Sequence, residues 1–101
     1  MMNNATYIAL CVAQMAMDGN SAATIEFFRK IAPTLMSSGM INGVQAAELT
    51  FMTPQGAGKH IKHMTAKTYL VRRNRRRWEM SDRFIKHKDL IPLTRFLYSD
   101  N

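Results

Sequence analysis

The segment Arg72-Arg73-Asn74-Arg75-Arg76-Arg77 constrains this chain more than any other. Five arginines in six positions would by themselves read as a solvated or disordered stretch. Apolar residues flank the run on both sides, however: Tyr69-Leu70-Val71 before it, Trp78 and Met80 after it. A β-hairpin reconciles the two, with both arms anchored in a core and the tip holding its charge in water. The spacing predicts one strand near Tyr69 to Arg72 and a return strand near Arg77 to Met80. Asn74, at the centre of the tip, tolerates positive φ better than most residues and suits a tight reversal. Trp78 is expected to anchor the root of the hairpin in the core. A tip of this kind is suited to lie along a phosphate backbone. A charged turn without a ligand is the bland alternative, but five like charges repel one another and the hairpin gains nothing from them.

The charge of the rest of the chain sharpens this reading. The net charge is +7, and it is unevenly placed. Between Pro54 and Lys88, eleven Lys and Arg stand against Glu79 and Asp82, a balance of +9, whereas residues 1–53 and 89–101 each carry −1. Such asymmetry points to an anionic partner. A length of 101 residues with 47% hydrophobic composition fits one domain with a modest core. No apolar stretch approaches the roughly 20 residues needed to span a bilayer, so no membrane partner is expected. The N-terminus lacks a basic region, apolar block and small-residue cleavage site, so no secretory signal is expected. The single cysteine, Cys11, cannot form an internal disulfide and fits a reducing compartment. It reads as a small buried apolar side chain.

Asn4 can cap a first helix through Ala5, Ile8, Cys11, Val12 and Met15 that stops before Gly19. Ser21 opens a second, with Ile25, Phe28, Ala32, Leu35 and Met36 as its buried stripe and Ser37-Ser38-Gly39 as its end. Pro33 should kink or divide that helix, because its ring removes an amide donor. A short third helix is predicted over Gly43 to Phe51, with Val44, Ala47 and Phe51 facing inward. Thr53-Pro54 is a start signal, threonine at the cap and proline at the first helical position. The fourth helix carries Ala57, Ile61, Met64 and Thr68 on one stripe and Gln55, Lys59, His60, Lys62, His63 and Lys67 on the other. Gly56 and Gly58 each weaken its first turns by about 1 kcal/mol relative to alanine, and in exchange let its backbone approach something closely. Ser81-Asp82 can cap a last amphipathic segment with Phe84, Ile85, Leu90, Ile91, Leu93, Phe96 and Leu97, interrupted by Pro92. The nine methionines read as core filler and interface plasticity.

This order of elements resembles a winged helix-turn-helix protein of the kind common among small bacterial, phage and plasmid transcription regulators. The resemblance spans residues 21–82 and is most specific in His60-Ile61-Lys62-His63-Met64 leading to Tyr69-Leu70-Val71-Arg72-Arg73. The family often ends its recognition helix with a run like HLKRL and enters the wing with one like GLVRR; Tyr69 stands where that glycine would be. The resemblance implies a single winged-helix domain over residues 1–101, mainly α with a two-stranded β-wing. Residues 1–19 and 83–101 would be flanking helical segments available for dimer contact. Val44 to Phe51 would be the first helix of the motif, Thr53 to Lys67 the recognition helix, and Arg72 to Trp78 the wing.

A helix fits the major groove and its outer side chains reach base edges. Gln55 can pair bidentately with adenine and Lys59 with guanine, while His60, Lys62, His63 and Lys67 are closer to phosphate duty. Arg72, Arg73, Asn74, Arg75, Arg76 and Arg77 can grip phosphates or enter an adjacent minor groove. With five to seven such cations engaged per protomer, log affinity should fall with log salt at a slope of roughly −5 to −6.

Other chemistries are poorly served. The stretch Thr53 to His60 ends like a phosphate-binding loop but lacks the first glycine and the hydroxyl after lysine. His60 and His63 lie one turn apart, but no cysteine accompanies them and His87 is the only other histidine, so no metal or cofactor is expected. No nucleophile or acid–base pair has the context of an active site, so no enzymatic activity is expected. No small-molecule ligand is evident. An RNA-binding module is disfavoured because Tyr69 and Trp78 are committed to the hairpin base. The expectation is a cytoplasmic, nucleoid-associated, homodimeric repressor that binds double-stranded DNA. Its alternative is a small interaction or inhibitor protein that turns the same scaffold to an acidic partner protein.

Overall fold

The computed structural model describes residues 4–81. It is mainly helical, with a small antiparallel sheet, in the order α1 (Asn4–Met17), α2 (Ala22–Ser38), β1 (Ile41–Asn42), α3 (Gly43–Thr50), α4 (Pro54–Ala66), β2 (Leu70–Asn74) and β3 (Arg77–Met80). Asp82 and the amphipathic segment expected after it lie outside the described residues, as does the dimer contact placed at 83–101. No helix among the described residues is long and apolar enough to cross a membrane.

Side chains from every helix meet in one core: Cys11 and Met15 from α1, Phe28 and Ile31 from α2, Ala46 and Ala47 from α3, Ile61 and Met64 from α4. Burial pushes the Cys11 thiol up to about 12, so it behaves as an apolar filler. The helix starts are chemically explicit. The hydroxyl of Ser21 accepts the Thr24 N–H at 3.2 Å at the head of α2, and Gly39, in the left-handed region at φ 84, closes that helix. A reciprocal capping box opens α3: the Gln45 N–H donates to Asn42 Oδ1 at 2.8 Å, and the Asn42 N–H to Gln45 Oε1 at 3.1 Å. Thr53 Oγ1 accepts the Gly56 N–H at 3.1 Å, and Pro54 occupies the first turn of α4.

Several expectations are corrected. Of the two outcomes expected at Pro33, division does not occur, since α2 runs from Ala22 to Ser38. Pro33 and Arg29, whose carbonyl loses its usual donor, both lie on the exposed side, where water can replace the missing bond. The inward face of α3 is Ala46, Ala47 and Thr50, whereas Val44 is 65% and Phe51 91% exposed. Phe51 ends that helix in the left-handed region, at φ 55, and so turns away from the core. Thr68 lies beyond α4, exposed and at φ 64, rather than on its buried stripe. The first arm of the hairpin begins at Leu70, not Tyr69.

The sheet has three strands rather than two, in the order β1-β3-β2. Ile41 pairs with Trp78 and Asn42 with Arg77, so the segment entering α3 is stitched to the returning arm. In the hairpin, Leu70 pairs with Met80, Val71 with Glu79 and Arg72 with Trp78. The register then shifts before the Asn74–Arg77 pair, leaving Arg73 as the extra residue. Because side chains alternate along a strand, Leu70, Arg72, Trp78 and Met80 share one face of the hairpin. Asn74 does not use positive φ. Its side-chain oxygen instead accepts the Arg76 N–H at 3.0 Å, which turns the chain by another route.

Candidate nucleic-acid interface

The polar residues of α4 divide into two flanks. Ala57, Ile61 and Met64 are buried and fix the helix rotation. At about 100° per residue, Gln55, Lys59, Lys62 and Ala66 then form a single ridge pointing away from the core. Gln55, Lys59 and Lys62 are all exposed.

His60 lies on the other flank, turned toward α2. Its ring stacks on Phe27, with centroids 4.8 Å apart and planes at 23°, and Nδ1 lies 3.4 Å from Thr24 Oγ1. Burial holds its pKa below the ordinary imidazole value, and the charge of His63 adds to that depression. His63, though exposed, is also held. Its Nε2 lies 3.0 Å from Asn20 Oδ1. Asn20 spends its amide N–H groups on the Tyr69 hydroxyl at 2.7 Å and the Met15 carbonyl at 2.9 Å. The Asn20 oxygen must therefore accept, and His63 donates through its Nε2–H. The Tyr69 hydroxyl donates in turn to Asp18 Oδ2 at 2.5 Å. Lys67, the C-cap of α4, is exposed and seven residues beyond His60, so it continues this anchored flank.

The arginines of the hairpin divide too. The Arg72 guanidinium lies 5.8 Å over the Trp78 ring and donates to the carbonyls of Asn74 at 3.1 Å and Arg75 at 3.2 Å. Arg73 pairs with Glu79 at 2.8 Å. Arg75, Arg76 and Arg77 are exposed and form no ion pair among the described residues. The strongest cationic character is thus concentrated at the turn itself.

Helix and hairpin face one another across two clefts. One, of about 430 Å³, is lined by Gly58, Ile61, Lys62 and Thr65 of α4 and by Arg72 and Trp78 of the hairpin. The other, of about 480 Å³, lies between Arg75, Arg76 and Arg77 on one side and Val44 and Pro54 on the other. Neither is lined by a carboxylate among the described residues. Lys62 therefore shares a cleft with the hairpin, and the arginine turn shares one with the first residue of α4. Gln55 and Lys59 line neither and stand on the outer ridge.

The two glycines of α4 differ. A Cβ at Gly56 would lie 3.3 Å from Thr53 Oγ1, so what comes close there is the helix's own cap. A Cβ at Gly58 would meet nothing within 4 Å, because that residue lies on the wall of the first cleft. The anchors Asn20 and Asp18 carried no functional signal in the sequence. The Asn42-to-Gln45 box that places Gly43 and Val44 beside the turn did carry one, in its N-x-x-Q spacing. No cluster of three or more metal-ligating side chains occurs among the described residues. Comparison with protein-family models, with curated proteins and with solved structures finds no match to this chain.

Proposed function

We propose that this chain is a sequence-specific double-stranded-DNA-binding regulator of winged helix-turn-helix type, acting as a homodimeric repressor. In this reading α4 enters the major groove and the β2–β3 hairpin lies on phosphates or in the adjacent minor groove. One observation carries it: the lysine-bearing helix and the arginine turn bound shared, carboxylate-free clefts, so both can touch one duplex at once. Electrostatics supports the same partner, since a basic surface releases condensed counterions only on a polyanion. Gln55 and Lys59, on the outer ridge, have the donors to read adenine and guanine edges. Lys62 and Arg75 to Arg77 supply phosphate contacts. His60, tied to Phe27, drops out of the contact set, and His63 contributes through a ring whose orientation Asn20 fixes.

The experiment is selection of bound duplexes from a random DNA pool. A palindromic consensus is the expected outcome, giving ligand, specificity and symmetry together. Recovery of unenriched sequence would remove sequence-specific recognition. The second reading, an acidic protein partner, is favoured by the outward Val44, which lines the cleft of the arginine turn. It predicts no enriched duplex and only salt-sensitive, unsaturable retention of DNA.

A further inference from the structure

The clefts between α4 and the hairpin are two ends of one groove. Both are lined by Gly43 and by Trp78, so the indole forms their common wall. The groove follows α4, whose thirteen residues span about 20 Å at 1.5 Å each. Lys62 stands toward one end, and Arg75, Arg76 and Arg77 at the other. Between them the lining is small or flat: Gly43, Gly58 and the half-buried Trp78. Arg72 is committed to the hairpin's own carbonyls and to the Trp78 ring, so it shapes the wall.

A ligand matching this lining is long, carries negative charge at intervals, and offers a thin apolar face between its charges. We infer that the groove seats one sugar–phosphate strand of the duplex, with a deoxyribose face against Trp78 and phosphates held by Lys62 and the three turn arginines. The inference rests on the DNA-binding reading and specifies which surface takes the backbone. Trp78 is then both a core anchor at its inner edge and a contact at its outer edge. An apolar strand-facing wall suits the sugar, which has no charge to satisfy, while the cations at both ends suit its phosphates.

Trp78 is the only tryptophan of the chain, so its fluorescence reports on this groove alone. The test measures acrylamide quenching of the full chain, free and bound to its selected duplex, alongside a Gly58→Leu variant. Open space at Gly58 lets that variant fold, and leucine is the better helix former, so its thermal midpoint should match or exceed that of the parent. The expected result is a severalfold lower quenching constant in the complex, and loss of about tenfold or more in affinity for Gly58→Leu. A complex that forms with Trp78 as open to acrylamide as before, or a Gly58→Leu variant of parental affinity, would overturn the groove assignment and leave DNA binding intact. Absence of duplex binding by the parent chain would overturn both.

Discussion

The surface built by α4 and the hairpin has an anchored side and an open side, and they are made of different interactions. On the anchored side Tyr69 is 0% exposed, its hydroxyl shared between Asp18 and Asn20, and Asn20 holds His63. The Ser81 hydroxyl donates to the Thr68 carbonyl, closing the hairpin root. On the open side Lys59, Lys62, Arg75, Arg76 and Arg77 stand in water without ion-pair partners among the described residues. Repulsion between two charges in water is about 1 kcal/mol at 4 Å and falls with distance. Burying one large apolar side chain gains about 1.5–3 kcal/mol, and each internal hydrogen bond about 1 kcal/mol more. The root therefore outweighs the self-repulsion of the turn, and cations can be held ready for an anion without a compensating acid beside each.

This contrast can be broken by substitution. The largest effect is expected at Tyr69→Ala, which should cost about 3–5 kcal/mol in urea unfolding, as for other buried aromatic truncations. A loss below about 1 kcal/mol would mean the root does not hold the hairpin. Removing only the hydroxyl, in Tyr69→Phe, should cost about 1–2 kcal/mol, because Asp18 and Asn20 lose a shared partner. Next comes Arg72→Lys, which keeps the charge but cannot reproduce the fork that reaches two carbonyls. It should lose about 1 kcal/mol of stability, and an unchanged midpoint would return Arg72 to the phosphate-binding set. Arg73→Ala breaks only an exposed pair with Glu79 and should shift stability by less than about 1 kcal/mol.

The smallest effect is a pH dependence on the anchored side. Burial against α2, and then the charge of His63, lower the His60 pKa from the ordinary 6.5. The unfolded chain then binds that proton more readily than the folded one, so stability rises with pH across this window. The contribution of His60 is present above 6.5 and is lost as pH falls below it. The urea midpoint should drop between pH 7 and pH 5, and drop less in His60→Phe, which retains an aromatic ring against Phe27. An equal drop in both would place the titration elsewhere.

Much of the fold was legible because its punctuation is local. Ser21, Thr53-Pro54 and the apolar flanks of the arginine run state where α2, α4 and the hairpin begin. The orientation of α3 was not legible. Val44 and Leu49 are its large apolar residues, yet both are exposed while Ala46, Ala47 and Thr50 face the core, and only tertiary packing decides between such faces in an eight-residue helix. β1 is two residues long, too short to show alternation. On α4, the ridge of Gln55, Lys59 and Lys62 follows from helical spacing alone. The capture of His60 by Phe27 and of His63 by Asn20 does not, because these partners come from α2 and the α1–α2 turn. The commitment of Arg72 and Arg73 likewise depends on a strand register, with its bulge, that no run of arginines announces.

The most direct test of a joint helix-and-turn surface is the salt dependence of duplex affinity. It should be measured for the parent chain, Lys62→Ala, Arg75→Ala with Arg76→Ala, and all three changes together. With Arg72 and Arg73 committed internally and Lys59 on a base edge, the phosphate contacts are Lys62, Arg75, Arg76 and Arg77, and the expected slope on a logarithmic plot is about −3.6 per protomer, twice that for the dimer. Per protomer, Lys62→Ala should flatten it by about 0.9, the arginine pair by about 1.8, and the triple variant by about 2.7, because both elements hold the same duplex. A parental slope in either Lys62→Ala or the arginine pair would contradict that claim, since one of the two elements would then not touch the DNA.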